Sequence, residues 1–383
     1  MLRLSGRALL EGGVERAVVL ISDGEVTWCG PEADAPEGGE AGETVPTTGL
    51  LAPGFVDLHV HGAGGADAAD GTTESLEVMC RAHARRGTVA LCPTVLTSPP
   101  EVLLRALEVI RAATGTCPGS GARVLGAHLE GPFLNPGRAG AQPPEHLRAP
   151  DRGLCDELLA AAGGTLRVVT LAPELPGALE LTELLAERGV VVSVGHSDAT
   201  HAQVLAAVER GARLAAHTFN AMRPLHHREV GILGAVLLSQ RLHAEVIADG
   251  VHVSGPALEL LWRLKAGRLC LVTDCTAALD APPGAARLGD RPVTVSEGAV
   301  RLPDGTLAGS SLTLDRAVRQ LVTAAGVTPP EALRAASGVP AGLLGLERGR
   351  IAPGMPADLV VLDASLDLER VMIGGRWLSL EAS

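Results

Sequence analysis

Leu166-Arg167-Val168-Val169-Thr170-Leu171-Ala172 is followed by a helical pattern over 178–188. Then come Val190-Val191-Val192-Ser193-Val194, a helical pattern over 201–210, and Arg213-Leu214-Ala215-Ala216. Short apolar runs alternating with helical ones read as βα units. The same beat continues outward in both directions. Upstream, strands are expected over 55–60, 88–93 and 123–129; downstream, over 243–247 and 268–273. Helical patterns over 75–86, 101–113 and 256–265 lie between them. The expected strands number eight, and eight parallel strands with intervening helices make a (β/α)8, or TIM-type, barrel. A doubly wound open sheet is the alternative, but no glycine-rich dinucleotide loop follows the first strand.

The two chain ends read differently. Ala17-Val18-Val19-Leu20-Ile21 and Glu25-Val26-Thr27-Trp28 flank the turn residues Asp23-Gly24. Near the C-terminus, Leu359-Val360-Val361-Leu362 and Val371-Met372-Ile373 repeat that style. Both ends are therefore expected to supply strands to one small β-sandwich domain, residues 1–52 with 346–383, while 53–345 form the α/β barrel.

Composition supports a large aliphatic core. Hydrophobic residues make up 46% of the 383, yet aromatics are only 2%, with no Tyr and three Phe. Ala, Val, Leu and Ile must fill the interior, which suits parallel strands buried on both faces. The net charge is −12 and no Lys/Arg stripe is visible, so nucleic-acid binding is disfavoured. No apolar run reaches the roughly 18 residues of a membrane span. Seven Cys are scattered without a CxxC pair, and no secretory signal opens the chain. They are expected to be reduced thiols in a cytoplasmic protein.

Chemistry concentrates at the C-terminal ends of the expected strands. The first ends in Asp57-Leu58-His59-Val60-His61, the third in His128-Leu129-Glu130, and the fifth in Gly195-His196-Ser197-Asp198. The sixth ends in His217-Thr218-Phe219-Asn220 and the eighth in Thr273-Asp274. His59 and His61 are two apart, so in a strand both point into the barrel. Barrel enzymes place their sites on this face, and imidazole with carboxylate suits zinc or a similar divalent ion. A lone buried His is more often a satisfied core residue; candidates on five strand ends decide otherwise. His128 shares the face of Glu130 and is expected behind it. His83, His146, His201 and His243 read as surface or structural, while the loop residues His226 and His227 are open to either reading.

Motifs in this order resemble the N-acetylglucosamine-6-phosphate deacetylases of the amidohydrolase superfamily. They are Pro53–Asp57 with His59-x-His61, Gly126–Asn135, Gly195–Ala199, His217–Met222, Ile247–His252, Leu271–Asp274 and Asp304–Ser310. The resemblance covers nearly the whole chain. It implies that Glu130, His196 and His217 hold a principal metal, with a second metal on His59, His61 and Glu130 near Asp274. Many superfamily members use a carboxylated Lys on strand four, which is absent here, and Glu130 could bridge instead. One or two divalent ions per subunit are therefore expected, with zinc first and iron, cobalt or manganese as alternatives.

The resemblance also makes Asp274 the general base and acid. It places Asn220, the backbone of Ala221, Arg228 and His252 at the phosphate, and Leu307, Ala308 and Gly309 over the sugar. Relatives often carry a His twelve residues after the metal-binding Glu. Here that position is Gln142, beside Ala141. Either Gln142 does a weaker version of the job, a second metal covers it, or a local shift brings in His146. In related dimers the Arg228 loop reaches the neighbouring site, so a homodimer is expected. The implied reaction converts N-acetyl-D-glucosamine 6-phosphate to the amine and acetate. The alternatives are the galactosamine epimer, another metal-dependent amidohydrolase, or an inactive sugar-phosphate-binding protein.

Overall fold

Apolar runs of three to nine residues form the barrel wall: Phe55–Val60, Thr88–Leu96, Ala127–Glu130, Leu166–Leu171, Val191–Val194, Ala212–Ala215, His243–Val246 and Leu269–Leu271. In the computed structural model the described residues are 1–36, 43–282, 284, 286–296 and 298–379. Spatial order follows sequence order, and every neighbouring pair is parallel. The seam between the first and eighth strands is closed by a parallel bridge, Val60 to Cys275. There the His61 N–H donates to the Cys275 carbonyl at 2.7 Å, and the Asp274 N–H to the His59 carbonyl at 2.9 Å. The ring thus closes through the segments that carry the candidate chemistry.

The third strand differs from the single run expected over 123–129. It splits into Arg123–Val124 and Ala127–Glu130. Between them Gly126 takes φ +129°, and a Cβ there would come within 2.3 Å of the Thr165 carbonyl oxygen. Only glycine permits that approach, and the break sets the register that carries Glu130 to the barrel mouth.

The helices follow their periodicity. Thr73–Ala84 starts where the Thr72 side chain accepts the Ser75 N–H, and it buries Leu76, Met79, Cys80, His83 and Ala84, a stripe at helical spacing. His201–Glu209 opens on a Thr200/Gln203 capping box. Gly231–Leu238 is a helix that no helical period in the sequence announces. It buries seven consecutive residues, Gly231 to Leu237, so it shows no polar face for a periodicity to reveal.

Both chain ends supply the second domain. Leu2–Leu10, Gly13–Ser22, Glu25–Pro31 and Glu43–Pro53 join Leu359–Leu362, Leu368–Ile373 and Arg376–Trp377 in one continuous seven-stranded sheet. Period-two alternation divides its faces. Val360 and Leu362 belong to the barrel core, whereas Leu359 and Val361 join Leu4, Val19 and Ile21 in a separate core. The sheet curls around that second core, since Glu25 bridges back to Pro356.

An insertion follows the eighth strand. Two short hairpins, Arg287–Leu288 with Arg291–Pro292 and Thr294–Ser296 with Ala299–Arg301, pack on a small core of Leu96, Leu288, Val293, Val300, Leu302 and Ala308. This carries the strip 306–309 back over the barrel mouth. Among the described residues no helix is long and apolar enough to cross a membrane.

Candidate metal centre and active site

A cavity of about 250 Å³ opens at the C-terminal ends of the strands. Its lining includes His61, Glu130, Ala141, Gln142, His196, His217, Asn220, Ala221, His252, Asp274, Leu307 and Gly309. His59 lies just behind His61 and is fully buried. Two expected residues stand apart. Ala308 is buried in the small core beneath the insertion, so its backbone supports the strip while its side chain turns away. Arg228 is exposed and outside the cavity of its own chain, where its guanidinium meets His227 at 2.9 Å. His146 lies in a different cleft, leaving Gln142 as the residue at the mouth.

Backbone strain marks the site. His196, His217, Ala221 and Asp274 all have positive φ, at 46°, 24°, 52° and 47°. Non-glycine residues there cost on the order of 1–3 kcal/mol each and persist only where surroundings enforce them. Gly309 approaches so closely that a Cβ would meet the Asp274 carbonyl oxygen at 2.6 Å.

The donors converge on one carboxylate. The Nε2 atoms of His196 and His217 lie 3.0 and 2.8 Å from Glu130 Oε1 and 3.1 Å from each other. Around one ion with bonds of about 2.0–2.1 Å, tetrahedral donors sit roughly 3.3 Å apart. On the other side, His61 Nε2 lies 3.4 Å from Glu130 Oε2 and 3.2 Å from Asp274 Oδ1. His59 Nε2 lies 3.4 Å from Glu130 Oε1 and 3.6 Å from Asp274 Oδ1. Three groups with metal-ligating geometry result: Glu130-His196-His217 and His59-His61-Asp274 at the mouth, and His59-His128-Glu245 behind them.

The far sides of three of the four rings are held, while the buried His217 Nδ1 has no hydrogen-bond partner. The Nδ1–H of His196 donates to the Arg138 carbonyl at 2.9 Å, and that of His61 to the Thr94 carbonyl at 3.0 Å. His59 Nδ1 faces Glu245 Oε2 at 3.0 Å. With Nδ1–H turned outward, Nε2 of His59, His61 and His196 is the atom that faces the site, where a metal would displace any second proton. The buried His59 Nε2 has no hydrogen-bond partner. Lone pairs gathered around two carboxylates fit a divalent cation.

Electrostatics agree. Burial opposes charge on His61, but Asp274 and Glu130 outweigh it and lift its pKa to about 9. Burial alone would raise Glu130, yet the facing His59 and His196 rings hold it well below the usual carboxylate range. Asp274 is likewise lowered, against its burial, by His59 and His61. The carboxylates stay ionised and call for positive charge.

Several side chains support the site from behind. Asp57 ties the first strand to the eighth, accepting from Thr273 Oγ1 at 2.6 Å and from the His59 N–H at 3.2 Å; burial pushes its pKa up to about 7 against those donors. Gln142 accepts the Thr97 N–H at 2.9 Å and donates its amide to Glu130 Oε2. Asp249 Oδ2 holds His252 Nδ1 at 2.7 Å. His128 lies behind the site with both ring nitrogens engaged, at the Leu58 carbonyl and at Thr170 Oγ1. Arg291 bonds the Ala141 carbonyl at 2.8 Å and ties the insertion to the opposite rim. Glu245 could have been flagged, because a carboxylate inside the short buried strand His243–Val246 is anomalous.

An eight-stranded parallel barrel with imidazoles and carboxylates gathered at its C-terminal mouth has the architecture of a metal-dependent hydrolase. The chain belongs to the Amidohydrolase family, which matches residues 50–378. It is 41% identical over 334 residues to an N-acetylgalactosamine-6-phosphate deacetylase of Escherichia coli O157:H7, covering 86% of this chain and 88% of the relative. It is 38% identical over 330 residues to an N-acetylglucosamine-6-phosphate deacetylase of Lysinibacillus sphaericus, covering 85% of each. Among solved structures, a variant N-acetyl-D-glucosamine-6-phosphate deacetylase from Mycobacterium smegmatis in complex with N-acetyl-D-glucosamine-6-phosphate matches at TM-score 0.91. Its identity is 35%, with 98% of both chains covered.

Proposed function

We propose that this protein hydrolyses the acetamide of N-acetyl-D-glucosamine 6-phosphate, giving D-glucosamine 6-phosphate and acetate. The observation that carries the reading is the convergence of four imidazole Nε2 atoms on Glu130 and Asp274 at the cavity floor. Relatives at about 40% identity over most of the chain act on acetylated amino-sugar phosphates, as their names state. The galactosamine epimer is the second reading, favoured by the 41% identity to a deacetylase of that sugar.

Glu130, His196 and His217 would hold a principal ion, and His59, His61 and Asp274 a second, with Glu130 between them. Zinc is the first choice on these donors, with iron, cobalt or manganese as alternatives. Such an ion supplies Lewis acidity, lowering the pKa of water from 15.7 to about 7 and drawing charge from a carbonyl oxygen. Asp274 takes the proton of the attacking water and hands it to the departing nitrogen, which cannot leave as an anion. Gln142 holds the second oxygen of Glu130 and keeps that carboxylate fixed. Asn220, the Ala221 backbone and His252, braced by Asp249, receive the phosphate end. The strip Leu307-Ala308-Gly309 covers the sugar. Arg228 would complete the phosphate site from the neighbouring copy of a homodimer, because its guanidinium fork suits phosphate. Reduced cysteines, seven in the sequence, are consistent with a cytoplasmic protein.

The test is acetate release from both epimeric 6-phosphates, before and after chelation, with metal counted in the same sample. Chelator-sensitive release, faster from the glucosamine epimer, is expected. Faster release from the galactosamine epimer moves the assignment to that sugar. A metal-loaded sample inert toward both overturns the reading.

A further inference from the structure

Glu245 is a carboxylate without a role in the reaction outlined above. It lies on the seventh barrel strand, His243–Val246, and is fully buried. An isolated buried carboxylate is costly unless a positive charge reaches it. Among the described residues its one ion-pair partner is the His59 ring, with Oε2 at 3.0 Å from Nδ1. The His217 N–H approaches the same oxygen at 3.4 Å, while Oε1 has no hydrogen-bond partner. Across the ring, His59 Nε2 is also buried without a hydrogen bond. Carboxylate, imidazole and an open lone pair thus stand in line, aimed at the space between His61 and Asp274.

The positive charge that Glu245 lacks does not come from His128. That ring lies 4.6 Å from His59, centroid to centroid, and both of its nitrogens are already engaged by Leu58 and Thr170. The direction left open is through His59. We propose that Glu245 is a positioning residue for a second divalent-cation subsite on His59 and His61, setting its affinity without touching the ion. By accepting the Nδ1–H, Glu245 keeps the Nε2 lone pair facing the ion and makes the ring a stronger donor. In the Glu130-His196-His217 group the His196 ring is held by the Arg138 carbonyl instead, and Glu245 reaches that group only through the His217 backbone N–H, not through a ligating ring. This inference rests on the metal-centre reading above.

The experiment uses metal-free full-length protein titrated with Zn²⁺ against a competing chelator, with bound zinc counted by mass spectrometry. Wild type is expected to bind two ions per chain. Glu245→Gln should hold the first ion unchanged and bind the second roughly 10- to 100-fold more weakly, the usual effect of removing such a partner. In a His59→Asn background, Glu245→Gln should change nothing further, because its effect runs through that ring. A purely structural role would instead weaken both ions together and overturn the inference. So would unchanged second-ion affinity in Glu245→Gln, or wild type that holds a single ion at saturation. Should Glu245→Gln fail to fold, Glu245→Asp keeps the charge but withdraws it from Nδ1. The same weakening is then expected, and unchanged affinity overturns the idea. Wild type that holds a single ion at saturation yet releases acetate sinks this inference alone. Two ions, a Glu245 effect and no acetate release sink only the proposed reaction.

Discussion

Asp274 sits where a proton must be taken and returned. Its Oδ1 is 3.2 Å from His61 Nε2, and its backbone is held at positive φ by the Gly309 strip. Asp274→Asn keeps the shape and removes the basic oxygen. It is expected to lower kcat by about 10²- to 10⁴-fold, with KM near wild type and the ion on Glu130, His196 and His217 retained. Retention of more than a tenth of wild-type kcat would remove Asp274 from the proton-transfer role. At this scale the sequence is an uneven guide. The His-x-His pair and Glu130 are legible, because a strand's alternation decides which way they face. The partners behind them are not. The Arg138 and Thr94 carbonyls that fix two rings are backbone groups, which any residue could supply, and the pairing of Glu245 with His59 spans 186 positions.

The helix Thr73–Ala84 shows how an element can brace the site from outside. His83, read from the sequence as surface or structural, is fully buried near its end, and its Nε2 lies 3.1 Å from the Gly62 carbonyl. The bond steadies the chain just after His61. Burial lowers the His83 pKa from 6.5 to about 4, against the pull of the Gly62 carbonyl and of Asp280. The unfolded chain therefore binds this proton near pH 6.5, and the folded one only near pH 4. Stability from neutral His83 is full above 6.5 and is lost as pH falls through that window. At about 1.36 kcal/mol per pH unit, the loss is about 3 kcal/mol. His83→Gln can still donate to Gly62 but cannot titrate. Thermal melts from pH 7 to pH 4 should show a clearly shallower fall in Tm for the variant; parallel falls would refute the assignment. The strand that carries Glu130 was harder to read at the element scale. Its break at Gly126 is imposed by the Thr165 carbonyl of a neighbouring segment, a contact no local pattern announces.

The whole molecule raises the question of what completes the cavity. Among the described residues of one chain, its lining offers imidazoles, amides and backbone to a phosphate but no guanidinium. Arg228 lies exposed outside it, next to the exposed rings of His226 and His227. The barrel and the terminal sheet were both visible in the sequence, because each follows a short-range period. An exposed loop such as the one carrying Arg228 has no such period. If two copies pair about a twofold axis, each Arg228 loop serves the other's site. The consequence can be tested by mixing two defective chains. Arg228→Ala alone should raise KM for the 6-phosphate and leave KM for the unphosphorylated sugar unchanged. Asp274→Asn alone should be nearly inert. Unfolded together and refolded, half the dimers pair one chain of each kind. In these, the Arg228→Ala chain keeps its own Asp274 and borrows Arg228 from its partner. One working site in every mixed dimer restores roughly a quarter of wild-type activity at low substrate. If Arg228 served its own chain, that site would still lack it, and the mixture would show only the average of its two components.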